Sequence, residues 1–388
     1  MKNFTAYQPT EIVFGRKTIE DLGTIAQRYG RSCLLVTSHN SGARAALYER
    51  IKDILRKERL SVAHYDGVIP NPTTDVVSAG ARMALEAGSD LVIGLGGGSS
   101  MDTAKAIAVE AAHEGTAWDY LFFKKEPSTR TLPIIEVPTT SGTGSQTTPC
   151  AVITCTAELC KSAIWHPNIF ARVAVVDPDL ASGMPPKLTA CTGFDAFCHN
   201  FEAYISVATN PYAEMLALEA IRLIVENLPA AVDDGSNVAA RDAMAWADTL
   251  GGIAISTAGV TLPHGVGMQI SGHCPSVAHG ESLAVFYPEF TRFTWSSAEE
   301  KFAVVGRVFN KELSGRPDSE AAAACCDEID RFLKRIGLWI GFRDLMVSRE
   351  ELRAIASKAH VLPDYKNNPR LASSLEEVYD MLSRCYKR

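Results

Sequence analysis

The sequence predicts an α/β domain built on a parallel sheet, followed by an all-helical domain. Over the first ~180 residues, short β-rich runs alternate with amphipathic segments, the pattern of strands connected by helices. Continuous apolar runs such as Asp90 to Leu95 (DLVIGL) are typical of strands buried on both faces of a parallel sheet. Beyond Pro185 the strand signals almost disappear and helical periodicity takes over. We therefore place the domain boundary at residue 182, which gives domains of residues 1–182 and 183–388.

Each element of the first domain is predicted from a local signal. Ser32 to Thr37 (SCLLVT) is an apolar run, and Ala43 to Arg59 carries Leu47, Ile51 and Ile54 at helical spacing. The same reasoning gives strands at residues 11–15, 32–37, 62–68, 90–95, 132–137, 152–154 and 171–176, and helices at residues 18–29, 43–59, 73–88 and 101–112.

The second domain is predicted from helical periodicity and from helix start signals. Ser348-x-x-Glu351 and Ser373-x-x-Glu376 have the form of capping boxes. The predicted helices cover residues 187–206, 211–227, 238–256, 264–272, 280–293, 298–310, 318–336, 349–360 and 372–386.

The composition is that of an ordinary globular protein, and it excludes several classes of function. The 388 residues are 46% hydrophobic and 21% charged, with a net charge of −7, so nucleic acid and anionic membranes are not expected partners. No apolar run approaches the roughly 20 residues of a membrane span, and the N-terminal residues lack the apolar core of a signal peptide. The ten cysteines then indicate reduced thiols, and we expect a cytoplasmic protein.

The stretch from Gly193 to Glu202 (GFDAFCHNFE) has the pattern of a metal-binding helix. In a helix, Asp195, His199 and Glu202 share one face, and apolar residues flank them. An Asp and a His one turn apart can bind one cation, and such a pair needs further ligands from elsewhere in the chain. His264 and His279 are the candidates. The pattern also fits an exposed ion pair and two helix-capping histidines, and spacing alone leaves both interpretations open.

Two loops rich in glycine and hydroxyl groups follow predicted strands of the first domain. The segment Gly96 to Ser99 (GGGS) lies between a buried strand and a helix, where close backbone approach and helix-terminal amides favour a phosphate. It is neither the dinucleotide fingerprint nor a P-loop, and a tight packing turn is the alternative interpretation. Residues 138–145 (PTTSGTGS) form a second such loop, which weakens that alternative. Two loops of this kind at strand ends of one sheet indicate a dinucleotide across the sheet's carboxyl edge.

Several ordered blocks of the sequence occur together in one known family. Residues 9–15 (PTEIVFG) look like its opening strand, and Asn71-Pro72 looks like its NP turn. Residues 96–105 (GGGSSMDTAK) are similar to its GGGSxxDxxK motif, and the loop at 138–145 and the DP pair at 177–178 also match. Residues 184–204 contain its D-A-x-x-H-x-x-E pattern. Over nearly its whole length the chain therefore resembles the iron-containing (group III) alcohol dehydrogenases.

The resemblance implies a dinucleotide-binding α/β domain and a helical domain, with metal and substrate in the cleft between them. It implies that the metal ligands are one Asp and three His, which fall on Asp195, His199, His264 and His279. Glu202 matches a further family position, and we interpret it as a residue that orients a ligand or a helix. A carboxylate–imidazole set suits Fe²⁺, and Zn²⁺, Co²⁺ or Mn²⁺ would also fit.

The cofactor implied by the resemblance is NAD or NADP. Its phosphate and nicotinamide contacts carry over to one group of residues: Asn71, Gly97, Gly98, Ser99, Asp102, Thr139, Thr140, Thr143 and Lys161.

The choice between NAD and NADP depends on the end of the second strand. Many NAD-using members of the family have Asp there, whereas this chain has Ser38. An acid at this place ordinarily bonds the ribose 2′-hydroxyl and repels a 2′-phosphate, and the hydroxyls of Ser38 and Ser41 could instead contact that phosphate. The next charged residue, Arg44, falls inside the following helix, and the sequence leaves open whether it reaches the phosphate. We expect NADP(H) to be accepted.

Three further departures from the family concern the substrate and the cofactor loop. Gln146 replaces the Glu of the usual GTGSE. Met268 stands where the family often has a second His, four residues after the third ligand. The interval from His264 to His279 also contains an extra His273. We therefore expect Met268 and His273 to be possible substrate contacts and substrate handling to differ from better-known relatives.

The predicted function is that of a metal-dependent alcohol dehydrogenase or aldehyde reductase. Hydride would pass between NAD(P)(H) and a small primary alcohol or aldehyde, while the metal polarises the substrate oxygen. We expect a homodimer with a small-molecule substrate and no nucleic-acid or membrane partner. One alternative is a lyase or cyclase resembling dehydroquinate synthase. Such an enzyme would need several Lys and Arg to bind a polyanionic substrate, but Lys187 is the only Lys or Arg among residues 186–204. The other is a non-enzymatic metal- or nucleotide-binding protein.

Overall fold

The structure is a computed structural model, and it describes residues 3–157 and 160–388. The described chain divides into two compact units. One contains Gln8–Thr140 and Gly144–Ser182, and the other contains residues 3–7, Ser141–Thr143 and Gly183–Arg388. Among the described residues, no helix is long and apolar enough to cross a membrane.

The first unit is an α/β unit around a six-stranded, fully parallel sheet with the strand order β1-β8-β5-β4-β2-β3. A separate antiparallel pair, β6 and β7, lies outside this sheet. The strands are β1 (Glu11–Phe14), β2 (Ser32–Ser38), β3 (Ser61–Val68), β4 (Leu91–Gly96), β5 (Ile134–Pro138), β6 (Cys150–Cys155), β7 (Cys160–Trp165) and β8 (Val173–Val176). The helices are α1 (Leu22–Ala26), α2 (Ala43–Lys57), α3 (Thr74–Glu86), α4 (Gly98–Glu110) and α5 (Ala117–Tyr120).

The parallel sheet is covered on both faces, as its continuous apolar strands predict. Alternate residues of β2 enter different hydrophobic clusters: Leu34 and Val36 belong to one, and Cys33 and Leu35 to the other. Each of these four side chains is fully buried. Side chains of a strand alternate between faces, so burial of every residue requires a layer of helices on each side.

In the part of the chain that the structure describes, the second unit is helical from Pro186 onwards, and each of the nine helices predicted there is present. Helix α6 packs against α7, α8 and α10, and its apolar residues belong to one large core cluster. The helices are α6 (Pro186–Ile205), α7 (Pro211–Asp233), α8 (Val238–Ala258), α9 (Leu262–His273), α10 (His279–Thr294), α11 (Glu299–Phe309), α12 (Asp318–Arg335), α13 (Arg349–Lys358) and α14 (Leu375–Arg384).

Some local predictions were wrong. The segment predicted as one helix from residue 18 begins with a 3₁₀ turn, Thr18–Asp21, before the short α1. The strand β7 was not predicted. The capping box at Ser348 and Glu351 is present, but α14 is capped by Ser374, whose side chain accepts from the backbone N–H of Glu377.

Candidate metal centre and dinucleotide loops

Helix α6 carries the polar face that its sequence predicts. It begins at Pro186. A proline is tolerated there because the first N–H of a helix has no acceptor within the helix, so its absence costs no hydrogen bond. Asp195, His199 and Glu202 are at most 7% exposed. The apolar side of the helix is fixed by stacked aromatic rings: Phe194 on Phe197, and Phe197 on Phe201. Packing of that side leaves a row of polar groups inside the helical unit.

Three of the four predicted metal ligands, the histidines, converge on a carboxylate oxygen of the fourth, Asp195. The Oδ1 atom of Asp195 lies 3.8 Å from Nε2 of His199, 3.5 Å from Nε2 of His264 and 3.7 Å from Nε2 of His279. The ligand atoms of Asp195, His199 and His264 all lie within 4.8 Å of one another. His279 is partly exposed, and the other three are buried. The alternative of an exposed ion pair with two capping histidines is therefore excluded.

Hydrogen bonds at the far side of two imidazole rings determine which nitrogen faces Asp195. Nδ1 of His199 donates to the carbonyl oxygen of Gly142 at 3.1 Å, and Nδ1 of His264 donates to Oε1 of Glu202 at 2.9 Å. Each ring thereby turns its Nε2 towards Asp195. Among the described residues, neither Asp195 Oδ1 nor His264 Nε2 has a hydrogen-bond partner. Buried polar atoms are rarely left unpaired, so this gap between donor atoms is suited to a cation.

The charges of the site also favour a cation. Burial acts against the ionised form of Asp195, but His199, His279 and His264 outweigh it and lower the pKa of Asp195 to about 2. Burial likewise opposes the charged form of His264, but Glu202 and Asp195 outweigh it and raise the pKa of His264 to about 10. The ion-pair partners of both carboxylates, among the described residues, are histidines. Two buried carboxylates without a Lys or Arg partner attract positive charge to this place.

Close backbone contacts, which sequence reasoning did not find, bring His279 and the carbonyl group that orients His199 up to α6. A Cβ atom at Gly280 would lie 2.2 Å from the carbonyl oxygen of Cys191, so glycine lets the start of α10 reach the turn of α6 before Asp195. A Cβ atom at Gly142 would lie 2.5 Å from the carbonyl oxygen of Thr192. In the sequence, each contact is marked by a glycine next to a predicted functional residue: Gly280 follows His279, and Gly142 precedes Thr143.

The two predicted substrate contacts lie in different surroundings. Met268 follows His264 by one helical turn on the same face of α9 and is only 9% exposed. His273 ends α9, about 13 Å farther along the axis and half a turn out of phase with His264. It interacts electrostatically with Glu351 of α13. The structure therefore does not place His273 with the four predicted ligands, and its role as a substrate contact stays a prediction.

The first predicted phosphate loop and the start of the second, residues 138–140, lie side by side in the α/β unit. The backbone N–H of Thr139 donates to the carbonyl oxygen of Gly96 at 2.8 Å. A Cβ atom at Gly97 would come within 3.2 Å of the Thr140 side chain. Helix α4 begins at Gly98, three residues before the predicted start, so Gly98 and Ser99 lie in its first turn, where backbone amides have no acceptor within the helix. This arrangement at the carboxyl ends of β4 and β5 fits a bound phosphate.

The remaining predicted cofactor residues fall into three places. Lys161 in β7 donates to Oδ1 of Asn71 at 2.9 Å, and Asn71 has a left-handed φ of 53°. Thr143 belongs with the helical unit, in the same short segment as Gly142. Asp102 is half-buried, and its carboxylate accepts from Oγ of Ser145 and from the backbone N–H of Val152. Asp102 thus holds the second loop in place.

Lys105, in the matched motif but not predicted as functional, anchors the same loop. Its side chain is fully buried. Its Nζ atom lies within 3.4 Å of five oxygens, which are the backbone carbonyl and hydroxyl oxygens of Ser145 and Thr148 and the carbonyl oxygen of Cys150. One long side chain therefore fixes the last residue of the PTTSGTGS loop and the residues that follow it.

Glu136 of β5 is a second buried charged residue that sequence reasoning missed. Among the described residues, neither oxygen of its carboxyl group has a hydrogen-bond partner. A Cβ atom at Gly94 of β4 would lie 2.3 Å from its Oε2 atom, so the glycine provides the space for this side chain. Burial raises the pKa of Glu136 well above its ordinary value, although Lys105 opposes the shift.

We expect Glu136→Gln to stabilise the protein increasingly as the pH rises. The unfolded chain ionises Glu136 near the ordinary value of 4.5, while the folded protein keeps the proton to higher pH. Between these values, unfolding releases a proton, so wild-type stability falls with rising pH by up to about 1.4 kcal/mol per pH unit. The uncharged glutamine has no such loss. Thermal unfolding of both proteins at about pH 5 and about pH 8 measures the effect. An equal difference at the two pH values would contradict it.

The chain matches two family models in succession. The model of iron-containing alcohol dehydrogenases matches residues 9–178. The model of the C-terminal part of the Fe-containing alcohol dehydrogenase family matches residues 189–386. The two matches together span both units of the structure.

Individual relatives agree with these models over nearly the full length of the chain. The NAD-dependent methanol dehydrogenase of Bacillus methanolicus is 33% identical over 377 residues, 96% of this chain and 97% of the relative. The 1,3-propanediol dehydrogenase of Klebsiella pneumoniae is 35% identical over 373 residues, 95% of each chain.

Solved structures show the same architecture. An archaeal halo-thermophilic alcohol dehydrogenase from a Red Sea brine pool has a TM-score of 0.94 at 32% identity, with 99% of this chain and 100% of that chain covered. These similarities favour the alcohol oxidoreductase interpretation over the lyase and non-enzymatic alternatives. The chain belongs to the iron-containing alcohol dehydrogenase family, and it is an oxidoreductase that acts on the CH–OH group.

Proposed function

We propose that this protein interconverts a small primary alcohol and its aldehyde with NAD(P)(H), at a metal held by Asp195, His199, His264 and His279. One observation carries the proposal: three imidazole Nε2 atoms face a single carboxylate oxygen at 3.5–3.8 Å. Those distances exceed hydrogen-bond lengths. Four ligands at about 2.1 Å from one ion in a tetrahedral arrangement would be about 3.4 Å apart, so the donor atoms fit a shared cation.

The residues around the site hold the donor atoms in this arrangement. Glu202 fixes the ring of His264 and also accepts from the backbone N–H of Thr261 at 2.8 Å, directly before α9 begins. Gly142 fixes the ring of His199 through its carbonyl oxygen. Lewis-acid polarisation of the substrate oxygen is the chemistry that a divalent ion supplies when bound there, with Fe²⁺ suggested by the family.

The α/β unit supplies the dinucleotide site in this proposal. The amides of the first turn of α4 would receive the pyrophosphate, and Thr139 and Thr140 lie beside that turn. Asp102 and Lys105 keep the second loop in position through their hydrogen bonds to Ser145. Hydride would then pass between the substrate carbon and the nicotinamide of NAD(P)(H).

The substrate class is inferred from the relatives and from Met268. The named relatives act on methanol and 1,3-propanediol, which are small primary alcohols. The buried thioether of Met268, one turn from His264, would give the substrate space a flexible apolar wall.

A panel of small alcohols and aldehydes, assayed by absorbance of NAD(P)H, tests this function. We expect turnover with small primary substrates and a changed substrate profile in Met268→His, because imidazole would add a polar group beside the site. His273→Ala is the matched control, since His273 lies on the opposite face of the same helix. No change in absorbance with any substrate would contradict the proposed function, and identical profiles would contradict the role of Met268.

We also propose that the protein is a cytoplasmic homodimer. Nine of the ten cysteines have described side chains, and none of these nine is in a disulfide, which supports a reducing compartment. The short strand β1 lies at an edge of the sheet and could pair with a second copy. Light scattering during gel filtration measures the mass.

A further inference from the structure

We propose that Arg44, together with Ser38, selects NADP(H) over NAD(H) by binding the 2′-phosphate of the adenosine ribose. The proposal rests on dinucleotide binding by the α/β unit, which is part of the function proposed above. It names a specificity-determining residue for that function.

The sheet order places Ser38 where the adenosine ribose is expected. Strand β2 is hydrogen-bonded to β4, with Val36 opposite Gly94, and β4 leads into the glycine turn at Gly97. In dinucleotide-binding sheets, the pyrophosphate lies at the turn after one strand and the ribose lies at the end of the neighbouring strand. Ser38 is the last residue of β2. This chain therefore presents a hydroxyl group where an acid ordinarily excludes NADP.

Arg44 reaches Ser38, a point that the sequence left open. Helix α2 begins at Ala43 after a left-handed Gly42 with φ of 59°, so Arg44 lies in the first turn, close to the end of β2. Nη1 of Arg44 donates to Oγ of Ser38 at 2.9 Å. The hydroxyl of Tyr48, one turn farther along α2, lies 2.9 Å from the same Oγ atom. Ser38 is thus held between two side chains of one helix.

The guanidinium of Arg44 has donors left for an anion. It carries five N–H groups, and one of them contacts Ser38. Among the described residues, Arg44 forms no ion pair with a carboxylate. The carboxylate of Asp66, in the neighbouring strand β3, accepts instead from the backbone N–H of Asn40 at 3.2 Å. An exposed, unneutralised guanidinium next to a serine hydroxyl is the set of groups that a ribose 2′-phosphate requires.

Two isomeric probes with equal charge test the proposal without any catalysis. Calorimetric titration of the full-length protein would compare adenosine 2′,5′-bisphosphate with adenosine 3′,5′-bisphosphate. We expect wild type to prefer the 2′,5′-isomer. Arg44→Ala should weaken that isomer by about 10- to 100-fold, the range of a charge-assisted hydrogen bond, and should leave the 3′,5′-isomer unchanged.

Arg56→Ala is the matched control, because Arg56 lies in the last turn of the same helix, about 18 Å from Arg44 along its axis. Its affinity for both isomers should equal that of wild type. Equal binding of the two isomers by wild type would overturn the proposal, as would an equal loss for both isomers in Arg44→Ala.

Steady-state kinetics supply the second arm. Ser38→Asp would place a carboxylate beside Arg44, neutralise it and repel the phosphate, so kcat/KM for NADP(H) relative to NAD(H) should fall by about 10-fold or more. A strong wild-type preference for NAD(H) that Ser38→Asp leaves unmoved would overturn the proposal. If Arg44-dependent binding of the 2′,5′-isomer is present but no alcohol or aldehyde is turned over, the selection site stands and the proposed enzymatic function fails.

Discussion

His264→Ala should lose both its bound metal and its alcohol dehydrogenase activity while the protein remains folded. Residues that only orient a ligand typically change metal affinity by 10–100-fold, so the loss of a ligand itself should reduce activity by more than about 100-fold. His264 is buried and central, since its ring stacks on that of His199 at 4.5 Å between centroids. Elemental analysis after dialysis measures the metal, and circular dichroism measures the fold.

The matched control is His273→Ala, which removes the same side chain from the other face of the same helix. It should keep its metal content. Full turnover and full metal content in purified His264→Ala would show that His264 is not a ligand. Equal metal loss in both variants would show that α9 as a whole had been disturbed, and the ligand assignment would then have no support from this experiment.

Glu202→Gln should give an intermediate result that identifies its role. Each carboxylate oxygen of Glu202 accepts from a different partner, Oε1 from His264 and Oε2 from Thr261. Glutamine has only one accepting oxygen, so one of these contacts must be lost. We expect metal affinity to fall by about 10- to 100-fold, less than in His264→Ala. Unchanged affinity would mean that Glu202 serves only to hold helix α9.

The parts of this site that could be predicted are those that depend on short stretches of sequence. The spacing of Asp195, His199 and Glu202 places them on one face of any helix, whatever surrounds it. The ligands from α9 and α10 had no such local signal, because a histidine before a glycine also fits a helix end. Their assignment depended on the family resemblance, and the structure then placed them within reach of Asp195.

Helix boundaries show a second limit of local reasoning. Glycine is a poor helix former, so the start of α4 was predicted after the GGGS segment, yet the helix begins within it. At α14 the sequence SSLEE fits two overlapping capping boxes, and local pattern cannot choose between Ser373 and Ser374.

Burial of charged residues could not be predicted at all. Lys and Glu are residue types that usually lie on the surface, yet Lys105 and Glu136 are both fully buried. Whether a Lys is buried depends on oxygens 40–45 residues away in the chain, which no periodicity reveals. The replacement of the family's Glu by Gln146 removes an expected charge near the loop. It does not indicate which of the remaining charged residues are buried.

Lys105→Met should destabilise the α/β unit more than any other single change proposed for that unit. Methionine has a similar length but no donor, so the carbonyl oxygens of Ser145, Thr148 and Cys150 would lose a partner. Asp102 would also lose the positive charge that offsets its burial. Breaking a buried charged network by removing one partner costs about 3–5 kcal/mol. For a unit of this size, that corresponds to a fall in Tm of about 6–20 °C.

Lys105→Met should also weaken dinucleotide binding, because Lys105 fixes the end of the second loop and the residues that follow it. Thermal unfolding measures the loss of stability, and calorimetric titration with NAD and NADP measures the loss of affinity. Lys57→Met is the control for loss of a lysine, since Lys57 is exposed at the end of α2, and its Tm should equal that of wild type.

The double variant Lys105→Met with Asp102→Asn separates the charge from the hydrogen bonds. If the uncompensated carboxylate of Asp102 causes much of the loss, the double variant will be more stable than the sum of the two single changes. Strict additivity would show that the carbonyl contacts alone account for the role of Lys105, and a wild-type Tm in Lys105→Met would refute that role.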